Sequence, residues 1–115
     1  MIHSHKDLVV YQKSINLVLT IYKLCQGLPN NEKFGIISQL QRAIVSVPSN
    51  IAEGASRGSS KEYKRFLSIS LGSLSEVECL LEIAQKLQFI SYEAVPWESC
   101  NHIRRMLIQL RKKLP

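Results

Sequence analysis

The run SQLQRAIVSVPSNIAEGASRG, Ser38 to Gly58, sets a proline and a row of polar residues inside a strong helical pattern. Ile37, Leu40, Ile44, Val47 and Ile51 recur at alternating steps of three and four, which places them on one face of a helix and predicts that this face enters a core. Roughly opposite lie Gln39, Arg42, Ser46, Asn50 and Glu53, a second row made of hydrogen-bonding groups. Pro48 lacks an N–H, and its ring crowds the carbonyl of Ile44, so the pattern predicts a kink in the helix at that point.

Working outward, the remaining sequence reads as three more helices joined by short turns. The first runs from about 7 to 26, with Asp7 favourable at its positive end, and stops at Gly27-Leu28-Pro29. The central helix opens near Asn31, where Asn30-Asn31 supplies an N-cap, and continues to about 56. Ser59 and Glu62 form a Ser-x-x-Glu capping box that starts the third helix, which reaches about 87. The last helix begins at Ser91 or at Pro96 and ends near 113; the later start is favoured, because proline suits a first turn and not an interior. Short connections favour antiparallel neighbours, so the expected fold is all-α: one domain over 1–115, an up-down-up-down four-helix bundle. Ser70, Gly72 and Ser73 leave room for a helix to approach the third one closely.

Two helices look too apolar for a monomer. Leu8, Tyr11, Ile15, Val18, Tyr22 and Cys25 form a heptad seam on the first, and Leu17, Ile21 and Leu24 widen its apolar arc to roughly 200°, where a surface helix needs little more than 100°. The third helix has a main face of Tyr63, Phe66, Ser70, Ser73, Val77, Leu80 and Ala84, with Leu67 and Leu71 to the flank. Exposed, these flanking residues would form patches that monomers seldom carry, and they predict a homo-oligomer.

Composition narrows the function. The 115 residues suffice for one substantial core, and no apolar run approaches the ~20 residues that span a bilayer. MIHSHKDLVV holds no basic segment followed by an apolar stretch and a small-residue cleavage site, so a cytoplasmic location and no membrane partner are expected. Cys25, Cys79 and Cys100 are far apart and fall on or beside apolar rows, which reads as three buried thiols; structural zinc would call for close pairs. His3-Ser-His5 reads as an exposed tail more readily than a metal site. Ionisable groups are scattered at helix-surface spacing and Glu-x-x-His motifs are absent, so neither catalysis nor a metal or other cofactor is expected. Glu78 and Glu82, with Lys86 offsetting their repulsion, read as a solvated face.

The net charge of +6 leans toward anionic partners. Its clearest concentration is at the C-terminus, where Arg104/Arg111 and Arg105/Lys112, each pair seven apart, form two basic rows with no acidic residue among them. These are the leading candidates for phosphate contact, although a run of cations there also complements the helix dipole. Arg57, Lys61, Lys64 and Arg65 form a second set, beside the free N–H groups at the start of the third helix; a plain turn relaxed by Gly58 is the simpler reading there. The polar row Gln39, Arg42, Ser46, Asn50 and Glu53 suits a hydrogen-bonded subunit interface better than solvent exposure or nucleic-acid contact, and Glu53 can pair with Arg57 or with a neighbour's arginine. Trp97, the one large candidate for base stacking, is equally suited to capping the bundle.

The pattern Gln39-Leu40-x-Arg42-Ala43, Ser46-x-Pro48-x-Asn50-Ile51-Ala52-Glu53-Gly54 and then Arg57 resembles the central motif of the protein family associated with intervening sequences in bacterial 23S ribosomal RNA genes. The similarity extends through Lys6-Asp7-Leu8-x-Val10-Tyr11-Gln12-Lys13, with tyrosine where tryptophan is common, and through Phe66-Leu67 and Gly72-Ser73-Leu74-x-Glu76. Gln41 departs from it, standing where a second basic residue often precedes the arginine, and so does Pro96, at the expected start of the last helix. The resemblance implies a left-handed four-helix bundle that assembles as a ring-like homopentamer, a link to RNA, and no catalytic activity. It also implies kinship with the accessory protein of diversity-generating retroelements, a basic pentameric barrel that engages a reverse transcriptase and nucleic acid. Two functions follow as expectations: an RNA- or nucleoprotein-associated accessory protein that grips phosphate backbone without strong sequence preference, or a scaffold for another protein, such as a polymerase or reverse transcriptase, with no direct nucleic-acid contact.

Overall fold

The computed structural model describes residues 5–115, apart from the side chain of Asp7. His3, and with it the His3-Ser-His5 pair, lies outside the described residues, as does the expected charge–dipole contact of Asp7. Four α-helices account for the fold: α1 (Val9–Cys25), α2 (Ile36–Ala55), α3 (Ser60–Lys86) and α4 (Trp97–Lys113). Among the described residues there is no strand. α2 packs against α1 and α3, and α4 closes the set against α3 and α1, so the four helices surround one core. At ~1.5 Å per residue the long α3 spans most of the molecule's 44 Å length.

Local chemistry sets the helix ends. Single 3-10 turns at His5–Asp7 and Asn30–Glu32 precede α1 and α2, so both helices begin later than the sequence suggests. Asn30 and Asn31 make no N-cap for α2: its first residue follows Gly35, and the Asn pair is spent on the turn. α3 starts where expected, with the Ser59 hydroxyl accepting the Glu62 N–H at 3.1 Å. It ends without a glycine. Gln88 takes the left-handed conformation (φ 66°), and the Phe89 and Gln88 N–H groups return to the Ala84 and Gln85 carbonyls, both at 2.9 Å, a Schellman closure. α4 begins after Pro96, the later of the two starts considered.

The most extensive helix–helix contact is between α2 and α3. α2 continues unbroken through Pro48, which is buried. Around it a polar seam crosses to α3: the Ser70 hydroxyl, fully buried, donates to the Val47 carbonyl at 2.8 Å. The Ser46 and Ser73 hydroxyls meet at 2.8 Å, and Asn50 Nδ2 donates to both the Ser46 carbonyl and its Oγ. A turn further on, Gly54 faces Phe66, so close that a Cβ on it would lie 2.8 Å from the Phe66 Cβ. The pairs 46–73, 47–70 and 54–66 ascend on one helix as they descend on the other, so α2 and α3 run in opposite directions. Gly72, in contrast, is exposed with open space around it and takes no part in this contact.

Burial overturns the expected division between core and flank. In α1 the buried row is Val10, Ser14, Leu17, Ile21 and Cys25, whereas Ile15 and Tyr22, placed in the core seam by their heptad spacing, are exposed. Leu67 of α3 is likewise fully buried, beside Leu74 and Leu81, and Leu24 and Leu71 are half-buried against the core. The reason is geometric. A helix in a four-membered bundle has a neighbour on each side, so it buries a wider arc than a helix lying on a surface. Leu17, Ile21 and Leu67 are therefore core residues of the single chain and not the subunit contacts proposed from the sequence.

Candidate functional site

The antiparallel run of α3 and α4 sets the charge of one end of the bundle. Arg111 Nη1 donates to the Ser68 hydroxyl at 3.1 Å, which lays the C-terminal cations of α4 beside the first turns of α3. Lys61, exposed, and Lys64, half-buried, project from those turns, and Lys112 is exposed one position beyond Arg111. From the end of α2 and the second turn of α3, Arg57 and Arg65 both lie over the Phe66 ring, 5.0 and 4.5 Å from its centroid. Each is also held by a carboxylate: Arg57 by Glu53 at 3.1 Å and Arg65 by Glu62 at 3.0 Å. The Arg65 hydrogen bond is the main reason that the Glu62 carboxyl is held below the usual carboxylate range, and it raises the guanidinium in turn. These pairs are solvent-exposed and weak. They orient the arginines on Phe66 without removing them from contact with an anion.

The α2–α3 turn and two helices thus bring Arg57, Lys61, Lys64, Arg65, Arg111 and Lys112 to one end, where Glu53 and Glu62 are already paired. Arg104 does not belong to this group. It is half-buried and forms a forked ion pair with Glu78 of α3, Nη2 with Oε1 and Nη1 with Oε2, while Nη1 also donates to Asn101 Oδ1 at 3.1 Å. Arg104 therefore staples α4 to α3, whereas Arg111 keeps only an exposed bond to Ser68, and Arg105 and Lys112 are presented to solvent. Glu78, read from the sequence as part of a solvated face, is half-buried in that staple.

The polar row of α2 divides in the same way. Ser46 and Asn50 are used inside the chain, in the seam with Ser73. Glu53 finds Arg57 of its own chain, and Gln39 and Arg42 remain exposed. The surface beside Arg42 carries exposed apolar groups among polar ones: Tyr22 of α1 lines a groove with Ser38, Gln41, Arg42 and Val45 of α2, and its continuation is lined by Phe34 and Ile37. Phe34 is 91% exposed and Leu19, one turn before Tyr22, is 65% exposed. Sequence reasoning missed this surface because Phe34 falls in a turn, outside any periodic row.

Other candidates resolve individually. Cys25 and Cys100 are buried, but Cys79 is exposed, one position off the buried row of α3. Burial pushes the Cys25 thiol upward and the Cys100 thiol up to about 11. Trp97 packs partly against the core at the start of α4, its ring 6.1 Å from that of Tyr92, and its Nε1 is buried without a hydrogen-bond partner among the described residues. Among the described residues no group of three or more His, Cys, Asp or Glu is arranged to hold a metal, and no helix is long and apolar enough to cross a membrane.

Residues 6–109 match the model of a family described as 23S rRNA-intervening sequence protein. A crystal structure of a protein of unknown function from the S23 ribosomal protein family of Bacteroides thetaiotaomicron VPI-5482 superposes with a TM-score of 0.83. The two are 28% identical, and the match covers 91% of this chain and all of that one. No curated protein matches the sequence.

Proposed function

Since the chain belongs to the 23S rRNA-intervening sequence protein family, we propose that it is a non-enzymatic, homo-oligomeric accessory protein that binds the phosphate backbone of RNA at the cationic end of its bundle. The observation that carries this reading is the convergence of Arg57 from the α2–α3 turn, Lys61, Lys64 and Arg65 from α3, and Arg111 and Lys112 from α4 beside the N-terminus of α3. Lysines and arginines around free helical N–H groups suit phosphate, and the scarcity of exposed aromatics at that end leaves nothing to read bases. Oligomerisation is supported by the groove at Tyr22, Phe34 and Val45, with Leu19 beside it, because a monomer gains nothing by leaving these in water. Copies arranged in a ring, such as the pentamer that the family resemblance implies, multiply the cationic ends, and multivalent contact strengthens binding.

Light scattering coupled to size-exclusion chromatography, on nuclease-treated protein with and without structured RNA, tests both parts. The expected result is an oligomer that takes up RNA at low salt and releases it at high salt, with log affinity falling by ~0.7–0.9 per phosphate contact for each tenfold rise in salt. The triple variant Lys61→Glu, Lys64→Glu, Lys112→Glu should bind weakly and with a flatter salt dependence. Unchanged binding by that variant would sink the assignment.

A further inference from the structure

Between the first turn of α1 and the second half of α4 lies a cleft of about 300 Å³. Val10, buried, with Met106 and Leu110, half-buried, make its floor; Val9 stands at its lip, 54% exposed; Arg105 and Lys113 rim it. Among the described residues, none of the lining side chains is acidic, and neither Arg105 nor Lys113 makes a salt bridge. We propose that this cleft docks a short, acidic amphipathic helix from a protein partner, its apolar side chains against Val9, Met106 and Leu110 and its carboxylates on Arg105 and Lys113.

The pattern on α4 is a matched pair of rows. Arg105, Gln109 and Lys113 follow one another at steps of four, a polar line along ~12 Å of helix. Met106 and Leu110, also four apart, run beside it. A two-turn helix with leucines at i and i+4 and glutamates along one edge presents the complementary pair. Methionine adapts its shape to an incoming side chain at low cost. The cleft is open along one side, which suits a helix that buries a single stripe; a small ligand is usually enclosed over ~70–90% of its surface. Phosphate backbone has no use for an apolar floor. A second copy of this chain, itself at +6, is poorly matched to a cationic rim. The inference goes beyond backbone binding and stands whether or not the cationic end of α3 takes RNA.

The probe is a lactam-bridged helical peptide of about fourteen residues with Leu at i and i+4 and flanking Glu, added to the full 15N-labelled chain. Amide shifts should concentrate in residues 8–10 and 105–113. Affinity by fluorescence anisotropy should fall about tenfold in the Arg105→Glu/Lys113→Glu variant and return when the peptide's Glu residues are changed to Lys. Val9→Asp should abolish binding; these three positions are exposed, and unchanged thermal unfolding verifies the fold. Equal binding by the charge-reversed variant, shifts elsewhere, displacement of the peptide by RNA at these same amides, or disulfide cross-linking of copies through Gln109→Cys would each overturn the proposal. RNA uptake by the Arg105→Glu/Lys113→Glu variant, compared with the Lys61/Lys64/Lys112 variant, keeps failure here distinct from failure of backbone binding.

Discussion

Arg104 and Arg105 are adjacent in sequence and opposite in role, because ~100° of helical rotation turns one toward α3 and the other toward water. Arg104 loses freedom to Glu78 and Asn101, so Arg104→Ala should destabilise the fold by about 1–3 kcal/mol, most of it from leaving the Glu78 carboxylate half-buried and unpaired. Arg105→Ala should change stability by no more than about 0.5 kcal/mol. Urea titrations of both, with Glu78→Ala and the Arg104/Glu78 double variant, check this through the coupling energy. The cysteines separate in the same manner. Native protein should react with a thiol reagent at Cys79 alone, with Cys25 and Cys100 reacting only on unfolding, as mass spectrometry of labelled peptides will show. Cys100 adds a pH dependence. In the unfolded chain its thiol ionises near 9, whereas in the fold it holds its proton to about 11. The folded state therefore binds more protons in that window, and stability falls as pH rises through it, by up to ~2 kcal/mol. Cys100→Ala should show a shallower loss between pH 8 and 10.5. That Cys100 would be buried was legible from its place on an apolar row; that Cys79 would not be was hidden by its closeness to one.

At the scale of the elements, α2 and α3 are joined by a contact that only small residues allow. Pro48 leaves the Ile44 carbonyl without its helical partner, and serine and asparagine side chains add hydrogen bonds to the carbonyls of Ser46 and Val47 that follow it. Gly54 then lets Phe66 come close. Gly54→Ala should destabilise by about 1–3 kcal/mol, since the clash at 2.8 Å is with a Cβ and has no flexible end to move. Gly72→Ala should instead stabilise by up to about 1 kcal/mol, because nothing lies within 4 Å and alanine is the better helix former. Thermal melts of the two variants test the pair. Sequence spacing put Ser70 and Ser73 toward a neighbouring helix correctly, and grouped Gly72 with them only because all three are small. Which small residue meets a partner depends on where the partner's axis passes, and that is not written into α3.

For the whole molecule, the densest group of cations and the groove at Tyr22 lie on different parts of the surface. Cations gather where α2 ends, α3 begins and α4 ends, whereas exposed Leu19, Tyr22, Phe34 and Val45 lie along the α1–α2 side. Leu19→Asp with Tyr22→Asp should therefore reduce the light-scattering mass toward the 13.1 kDa of one chain while leaving helicity by circular dichroism intact. An unchanged mass would assign the association to another face. Leu17→Ala and Leu67→Ala, the flanking positions suggested by periodicity, should act on stability instead, at about 2–5 kcal/mol each.

Local chain chemistry sets the helices and most of their ends. A period near 3.6, a Ser59 cap and prolines at positions that a helix interior rejects are local signals, acting within a turn or two of chain. The sequence also marks the family, because the motif around Pro48 encodes the α2 side of the α2–α3 seam. Which apolar rows are core and which cations are exposed follows from the packing of the helices. Both depend on neighbours distant in sequence: a second flanking helix buries Leu17, Ile21 and Leu67, and Glu78, 26 residues before Arg104, takes that arginine out of the exposed cations and leaves Arg105 in water.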